Sequence, residues 1–326
     1  MRVAVAAQSW PLSDTESLTP ERAAAVAREA WTQAAGHVTL DVRAVPDGGP
    51  LTGDALTGER WSVGGAIARR VRGAVVLAPA RGTRWEPGAL SSALLGLAAA
   101  GESARVVVPV GDEPPAGDAV DLWGGGLAAA RAAVAGLDIV ALVGADRPLL
   151  GFHGMSAAVR EGREADAALA LAAQAQEERW AAIAREADAV ASRKVLMGVG
   201  RLSDEPGAGA AGGLAYALAA LGARLVPGSR AVAEMVGLND AAEEADLVVA
   251  VVARLRAADL DHGAAAAAAW LAGRRGAPCV VATGHLGVGR RDLMAGGIAG
   301  AHEGERGEEG LAAQVRRLAH TWTPAR

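Results

Sequence analysis

The sequence predicts an α/β protein with two domains, on three observations. Short apolar runs that suit buried strands alternate with longer alanine-rich runs that suit helices. The strand-like runs are apolar at consecutive positions, which is typical of parallel strands covered by helices on both faces. The chain has 326 residues, enough for two domains at roughly 100–200 residues each.

The strand-like and helix-like segments follow one another along the whole chain. The predicted strands are 3–7, 74–80, 105–110, 138–143, 194–199, 246–253 and 279–284. The predicted helices are 20–35, 87–100, 124–136, 165–191, 209–222 and 308–319. The segments 108–126 and 297–310 are rich in glycine and polar residues, so we expect loops there.

The composition excludes several kinds of partner. The net charge is −5 and no basic stripe is present, so we expect no nucleic-acid partner. Cys279 is the only cysteine, which rules out an intramolecular disulfide and suits the reducing cytoplasm. The apolar run in the first residues is too short for a signal peptide, so we expect none, and no run of about 18 uncharged apolar residues occurs. We therefore expect a cytoplasmic protein without a membrane partner.

A glycine run precedes the predicted helix 209–222. Gly207, Gly209 and Gly212 have the spacing G-x-G-x-x-G, with Gly213 directly after them. A dinucleotide site needs a strand leading straight into the glycines and an acid about 20 residues later, and neither is found, so we expect no NAD(H) or FAD. A P-loop is excluded because no Lys-Ser or Lys-Thr follows. Two interpretations stay open, which are close packing of elements and phosphate binding.

Four sequence segments, one of which contains the glycine run, indicate a relationship to a known family. The four segments concerned are "VPDGGPLTGDAL" (45–56), "DRPLLGFHGMSAAV" (146–159), "PGAGAAGGL" (206–214) and "LGARLVPGSRAVAEMVGLNDAAEEADLVV" (221–249). In residue identity, order and approximate spacing, these segments resemble the motifs of the glycerate kinase type I family. The resemblance covers roughly residues 1–285.

This resemblance implies a fold and an activity. An outer Rossmann- or flavodoxin-like domain would consist of residues 1–71 plus 236–326, with an α/β domain inserted at 72–235 and the site in the cleft. The family reaction transfers the γ-phosphoryl group of ATP to a hydroxyl of glycerate, with Mg²⁺. We therefore expect a small-molecule substrate, with ATP and Mg²⁺ if the chain is active, and leave a homodimer and the metal ligands open.

The resemblance also implies site residues. Asp47, Asp146 and Arg254 would be catalytic, and we expect them to lie close together. Substrate or phosphate binding would involve Ser9, Gly48, Gly49, Arg147, Gly207, Gly209, Gly212, Gly213, Arg256 and His262. Two of these have plain structural alternatives, because Asp47 can simply form a turn and His262 can be a packed or capping histidine.

Several charged residues of the family pattern are missing. Gln8 and Pro11 stand where the family has an acid and a lysine. Val252, Arg256 and Ala264 stand where it has a glutamate, an aspartate and a lysine. Because phosphoryl transfer depends on positioning and charge stabilisation, a second function hypothesis stays open. It is a catalytically silent glycerate kinase paralogue with a binding or regulatory role. Only Arg147 and Arg256 are evident replacements for the lost cations.

Overall fold

The computed structural model describes residues 1–54, 56–160, 167–191, 193–195 and 198–323. The predicted α/β class is confirmed. The chain divides into two compact units. Unit 1 comprises Met1–Asp47 and Ser229–Arg326, and unit 2 comprises Gly48–Gly228.

The strands are given in chain order. They are β1 Arg2–Ala7, β2 Trp10–Pro11, β3 Ser17–Leu18, β4 Thr39–Ala44, β5 Arg60–Val63, β6 Ala66–Val71, β7 Ala74–Pro79, β8 Val106–Gly111, β9 Ile139–Val143, β10 Arg193–Val195, β11 Gly198–Gly200, β12 Arg224–Pro227, β13 Leu247–Val252, β14 Cys279–Thr283 and β15 Gly300–Glu303.

The helices follow in the same order. They are α1 Pro20–Ala34, α2 Pro87–Ala99, α3 Leu127–Ala133, α4 Met155–Arg160, α5 Ala167–Ala191, α6 Leu214–Leu221, α7 Gly228–Met235, α8 Leu238–Glu243, α9 Gly263–Arg275, α10 Arg290–Ala295 and α11 Gly307–Trp322. None of the helices in the described part of the chain is long and apolar enough to cross a membrane.

Unit 1 is built on a parallel sheet with the strand order β15-β14-β13-β1-β4. Helices α1 and α11 pack on one face, and α8 and α9 pack on the other. The central strands are buried on both faces, as Val3 and Ala4 show with 2% and 0% exposure. The strand order is the flavodoxin-like one, and it reverses direction between β1 and β13. Ligands of such sheets bind outside the carboxyl ends of the strands at this switch point.

Unit 2 is built on a mixed sheet with the order β12-β9-β8-β7-β6-β5. Strands β7, β8, β9 and β12 are parallel, whereas β5 and β6 form an antiparallel hairpin on β7. The core of this unit contains Trp85, Trp180 and Tyr216, all of them buried. Helix α6 is buried along its entire length.

The unit boundaries differ from the predicted ones. We expected the first boundary between residues 71 and 72, but β6 pairs with β7 along its whole length, so residues 60–71 belong to unit 2. We expected the second boundary between 235 and 236, but Ser229 already belongs to unit 1.

Three predicted segments also differ. Residues 194–199 were expected as one buried strand, but β10 and β11 pair with each other antiparallel in a small separate sheet. Residues 196–197 lie outside the described residues, as do 165 and 166 of the expected helix 165–191. The expected loop 108–126 begins with the last residues of β8, which the predicted strand 105–110 overlaps, and the expected loop 297–310 contains the short edge strand β15.

Candidate functional site

The switch point of unit 1 lies between the ends of β1 and β13. Ser9 follows β1, and its Oγ accepts a hydrogen bond from the N–H of Ala253 at 3.3 Å. Arg254 comes next in the chain and is exposed. Its guanidinium forms no hydrogen bond or ion pair with any residue that the structure describes. The carboxyl edge of this sheet therefore presents a cation that is available to an anionic ligand.

Helix α9 begins at the same edge. His262 occupies its N-cap position in extended conformation, but the His262 side chain makes no capping hydrogen bond. The cap comes instead from Gln8, whose Oε1 accepts a hydrogen bond from the N–H of Ala264 at 2.8 Å. The positive end of the α9 dipole is thus met by a neutral amide oxygen. The sequence analysis gave Gln8 no binding role.

Pro11 fills space beside the end of β14. A Cβ placed on Gly284 would lie 2.2 Å from Pro11 Cγ and 2.9 Å from the carbonyl oxygen of Ala253. The proline ring therefore packs directly on the Gly284 backbone, at the sequence position where the family resemblance leads us to expect a lysine. This part of the edge is apolar in this chain.

The two remaining unit 1 candidates are both exposed. Arg256 binds Asp259 through its backbone N–H at 2.8 Å and through its Nε at 3.2 Å. This carboxylate already neutralises the Arg256 guanidinium, which weakens the idea that Arg256 replaces a lost phosphate contact. Asp47 lies three residues beyond the end of β4, at the same carboxyl edge of the sheet.

The carboxyl edge of the unit 2 sheet carries a second group. Asp146 and Arg147 follow β9, and Asp112 follows β8. Arg147 donates two hydrogen bonds to Asp112, from Nη1 to Oδ2 at 3.0 Å and from Nη2 to Oδ1 at 2.5 Å. Arg147 is thus already held by a carboxylate of its own unit. The Asp146 side chain is exposed.

The glycine run packs against this edge. The N–H groups of Gly207 and Gly209 donate to the carbonyl oxygens of Asp146 and Arg147, at 2.9 and 3.0 Å. A Cβ on Gly209 would lie 2.3 Å from the carbonyl oxygen of Pro148. These two glycines allow a close backbone approach, and their N–H groups are occupied within the protein. Packing is therefore the interpretation that the structure supports for them.

The other two glycines of the run have left-handed backbone. A Cβ on Gly212 would lie 3.1 Å from Pro114 Cβ, and one on Gly213 would lie 2.4 Å from the indole ring of Trp180. Both positions favour glycine, because left-handed backbone is costly for other residues.

Gly48 and Gly49 begin unit 2 and are buried. A Cβ on Gly48 would lie 2.9 Å from Gly228 Cα, and one on Gly111 would lie 2.8 Å from Gly49 Cα. The two predicted glycines therefore pack backbone to backbone at the ends of β8 and β12.

The predicted site residues thus fall into two groups, one at the carboxyl edge of each sheet. Ser9, Asp47, Arg254, Arg256 and His262 belong to unit 1. The remaining candidates belong to unit 2 and are Gly48, Gly49, Asp146, Arg147, Gly207, Gly209, Gly212 and Gly213. The expected closeness of Asp47, Asp146 and Arg254 joins residues of both units and stays a prediction.

A comparison with protein families shows to which family the chain belongs. The sequence model of the glycerate kinase family matches residues 95–323, more than two thirds of the chain. The chain belongs to the glycerate kinase family. This confirms the family to which the sequence motifs pointed.

The chain is also similar to two curated proteins and to one solved structure. Uncharacterized proteins of Mycobacterium bovis and Mycobacterium tuberculosis are each 29% identical over 330 aligned positions, covering 91% of this chain and 82% of theirs. A crystal structure from Salmonella typhimurium LT2, of a protein assigned as glycerate kinase 2, superposes with a TM-score of 0.61. It has 17% identity and 98% coverage of both chains. At that identity the likeness supports the glycerate kinase fold alone.

Two residues of these edges were missed from the sequence. Asp112 directly follows an apolar strand, and acids in that position lie at the carboxyl edge of a parallel sheet, which was a usable signal. Gln8 likewise follows β1. Its partner Ala264 is 256 residues away in sequence, so the hydrogen bond itself had no local signal.

Proposed function

We propose that this glycerate kinase family member is an ATP-dependent phosphotransferase that acts on glycerate or a similar small hydroxy acid. The observation that carries the proposal is Arg254. It is exposed at the switch point of the unit 1 sheet, next to Ser9, and is not bound to another described side chain. A cation in that position can bind a phosphoryl group or the carboxylate of a hydroxy acid.

The side chains at the edges suit parts of the reaction. Phosphoryl transfer is catalysed mostly by positioning and by stabilisation of negative charge. Arg254 would stabilise the charge that spreads over the moving phosphoryl oxygens. Asp47, an exposed carboxylate at the same edge, would accept the proton of the substrate hydroxyl.

The residues also fit the cofactors that the family implies. Among the described residues, no group of three or more His, Cys, Asp or Glu side chains is arranged to hold a metal ion. Mg²⁺ at phosphoryl-transfer sites needs only one or two carboxylates, because the substrate phosphates supply further ligands. The exposed carboxylate of Asp47 suits that arrangement, and Mg²⁺ would neutralise charge on the ATP phosphates.

The experiment measures glycerate-dependent release of ADP in a coupled assay. We expect turnover by the unmodified chain, and a loss of about 100- to 1,000-fold in Arg254→Ala, as is typical when one charge-stabilising contact is removed. Arg291→Ala is the matched control, since Arg291 is an exposed arginine of α10 in the same unit. Turnover in Arg254→Ala equal to that in Arg291→Ala would contradict the proposal.

The silent paralogue is the second candidate, and a specific observation favours it. Gln8 caps α9, and Pro11 covers Gly284, so neutral groups occupy two places at the unit 1 edge. Arg147 and Arg256, the replacements expected from the sequence, are bound to Asp112 and Asp259.

Calorimetry separates the two candidates. ATP with Mg²⁺ and D-glycerate are each titrated alone into the purified protein. Binding of either ligand, with ADP release at least about 1,000-fold below the ordinary enzyme range of roughly 1–1,000 s⁻¹, would favour the silent paralogue. Ordinary turnover would exclude it.

A further inference from the structure

An unusual backbone turn precedes α6 in unit 2. Three consecutive residues, Ala211, Gly212 and Gly213, have positive φ values of 51°, 61° and 88°. Alanine carries a Cβ, so the left-handed conformation at Ala211 is strained. Strain of this kind persists only where surrounding contacts hold it, and it is found frequently at binding sites.

The N–H of Ala211 points to a carboxylate. It donates to Oδ1 of Asp112 at 3.3 Å. Turns with successive left-handed residues form backbone concavities that bind anions in many proteins. Here the anion is a side chain of the same unit, supplied by the residue that follows β8.

The Asp112 carboxylate also forms a bidentate ion pair with the Arg147 guanidinium. Both Asp112 oxygens accept hydrogen bonds from the guanidinium. Arg147 keeps 22% of its side chain exposed, and Asp112 keeps 41%. A guanidinium fork together with a backbone N–H is the donor set that proteins use for phosphate, and Asp112 occupies it.

We propose that Asp112 is an internal competitor for an anion site formed by Arg147 and the turn 211–213. A phosphate group of the nucleotide substrate displaces it. The choice of a nucleotide as ligand rests on the proposed function, whereas the donor set itself does not. Asp112 then acts as a specificity-determining residue, because it disfavours singly charged anions and yields to phosphate.

Displacement is feasible for two reasons. The Asp112 side chain is 41% exposed, so water can solvate the carboxylate when it leaves Arg147. A phosphate group carries about −1.5 to −2 charges at neutral pH, more than the single charge of the carboxylate that it replaces.

The test compares Asp112→Asn with a matched control. Asp138 lies before β9 and also binds two arginines, Arg105 and Arg224. Hydrogen bonds from Arg224 and Arg105 hold the Asp138 pKa below its usual value. Asp138→Asn therefore removes a comparable carboxylate outside the proposed site.

The probes are inorganic phosphate and metal-free ATP, titrated by calorimetry at low salt. We expect Asp112→Asn to bind both about tenfold more tightly than the unmodified chain, because a negative charge in contact with Arg147 has been removed. Asp138→Asn should bind like the unmodified chain. The double variant Asp112→Asn with Arg147→Gln should lose the gain, and so should Asp112→Asn at about 1 M salt.

Equal or weaker binding by a folded Asp112→Asn would overturn the proposal, because Asp112 would then only position Arg147. Thermal unfolding compared with Asp138→Asn shows whether the variant is folded, and Asp112→Ala takes its place if it is not. Affinity is measured without turnover, so a chain that releases no ADP can still show the tenfold gain. Failure of the phosphotransferase proposal and failure of this one are therefore distinguishable.

Discussion

The Oε1 atom of Gln8 accepts a hydrogen bond from the N–H of Ala264 at 2.8 Å, which ties the end of β1 to the first turn of α9. Helices begin with N–H groups that lack partners within the helix. Gln8 supplies one of these partners from the central strand of unit 1. The same hydrogen bond holds the Gln8 side chain in place, at the position where the glycerate kinase family pattern has an acidic residue.

Replacing Gln8 by alanine should lower the free energy of unfolding by about 0.5–2 kcal/mol, the usual effect of losing a helix cap. Gln8→Glu should retain most of the stability, since it keeps the acceptor and adds a charge that the helix dipole favours. Denaturant unfolding measures both. Gln33→Ala is the control, because among the described residues the Gln33 side chain binds only the exposed Glu29. Equal stability of Gln8→Ala and Gln33→Ala would show that the cap is unimportant.

Introducing the family lysine by Ala264→Lys should not raise the turnover by itself. Ala264 is 1% exposed, so a long side chain there overfills the start of α9 and should destabilise the protein by about 1–3 kcal/mol. Unfolding and ADP release are measured on the same preparation. A variant as stable as the unmodified chain, with turnover raised more than about tenfold, would refute this expectation.

Gly209→Ala should be strongly destabilising, by more than about 2 kcal/mol, because its Cβ would meet the backbone oxygen of Pro148 at 2.3 Å. Gly136→Ala is the matched control, since a Cβ there has no neighbour within 4 Å. That control should be neutral or slightly stabilising, because alanine restricts the unfolded chain. Thermal unfolding of the two variants decides the matter, and similar melting temperatures would argue against tight packing at Gly209.

Tyr216 should make stability sensitive to alkaline pH. Its hydroxyl donates to Asp188 Oδ1 at 2.9 Å, and burial, with that hydrogen bond as a second cause, raises the Tyr216 pKa above its ordinary value of 10.0. Below pH 10 both the folded and unfolded states hold the proton, so the contribution is fully present. Above it the unfolded state ionises first, and stability should fall by about 1.4 kcal/mol per pH unit.

Tyr216→Phe is the comparison for this effect. It should be less stable at neutral pH by about 1–3 kcal/mol, since a hydrogen bond to a charged group is lost. It should also lose stability less steeply above pH 10. Tyr216 is the only tyrosine, so absorbance near 295 nm reports its ionisation directly. A phenolate signal near pH 10 in the folded protein would contradict the prediction.

Much of the fold could be predicted because the central strands are apolar on both faces. Strands β1, β7, β13 and β14 were found from that property alone. The β5–β6 hairpin was missed, since it alternates apolar residues with arginines such as Arg60 and Arg69, and an edge hairpin needs only one buried face.

The site could be predicted less completely. Ser9 and Arg254 were expected from motifs, and both lie at a carboxyl edge because each follows a strand. The bond between Asp112 and Arg147 spans 35 residues and exists because β8 and β9 are neighbours in the sheet. Contacts set by strand order in this way have no local signal in the sequence.

The discontinuity of unit 1 has a consequence for synthesis on the ribosome. Strand β1 pairs with β13, and the N–H of Arg2 binds Asp246, 244 residues later in the chain. At roughly 5–20 residues per second, β1 is complete on the order of ten to fifty seconds before its partner emerges. Unit 2 is contiguous and can fold during that interval. Within the first 47 residues β1 can pair with β4, but the β1 edge that β13 later covers stays open during this interval. That open edge is the part of the nascent chain most in need of chaperone protection.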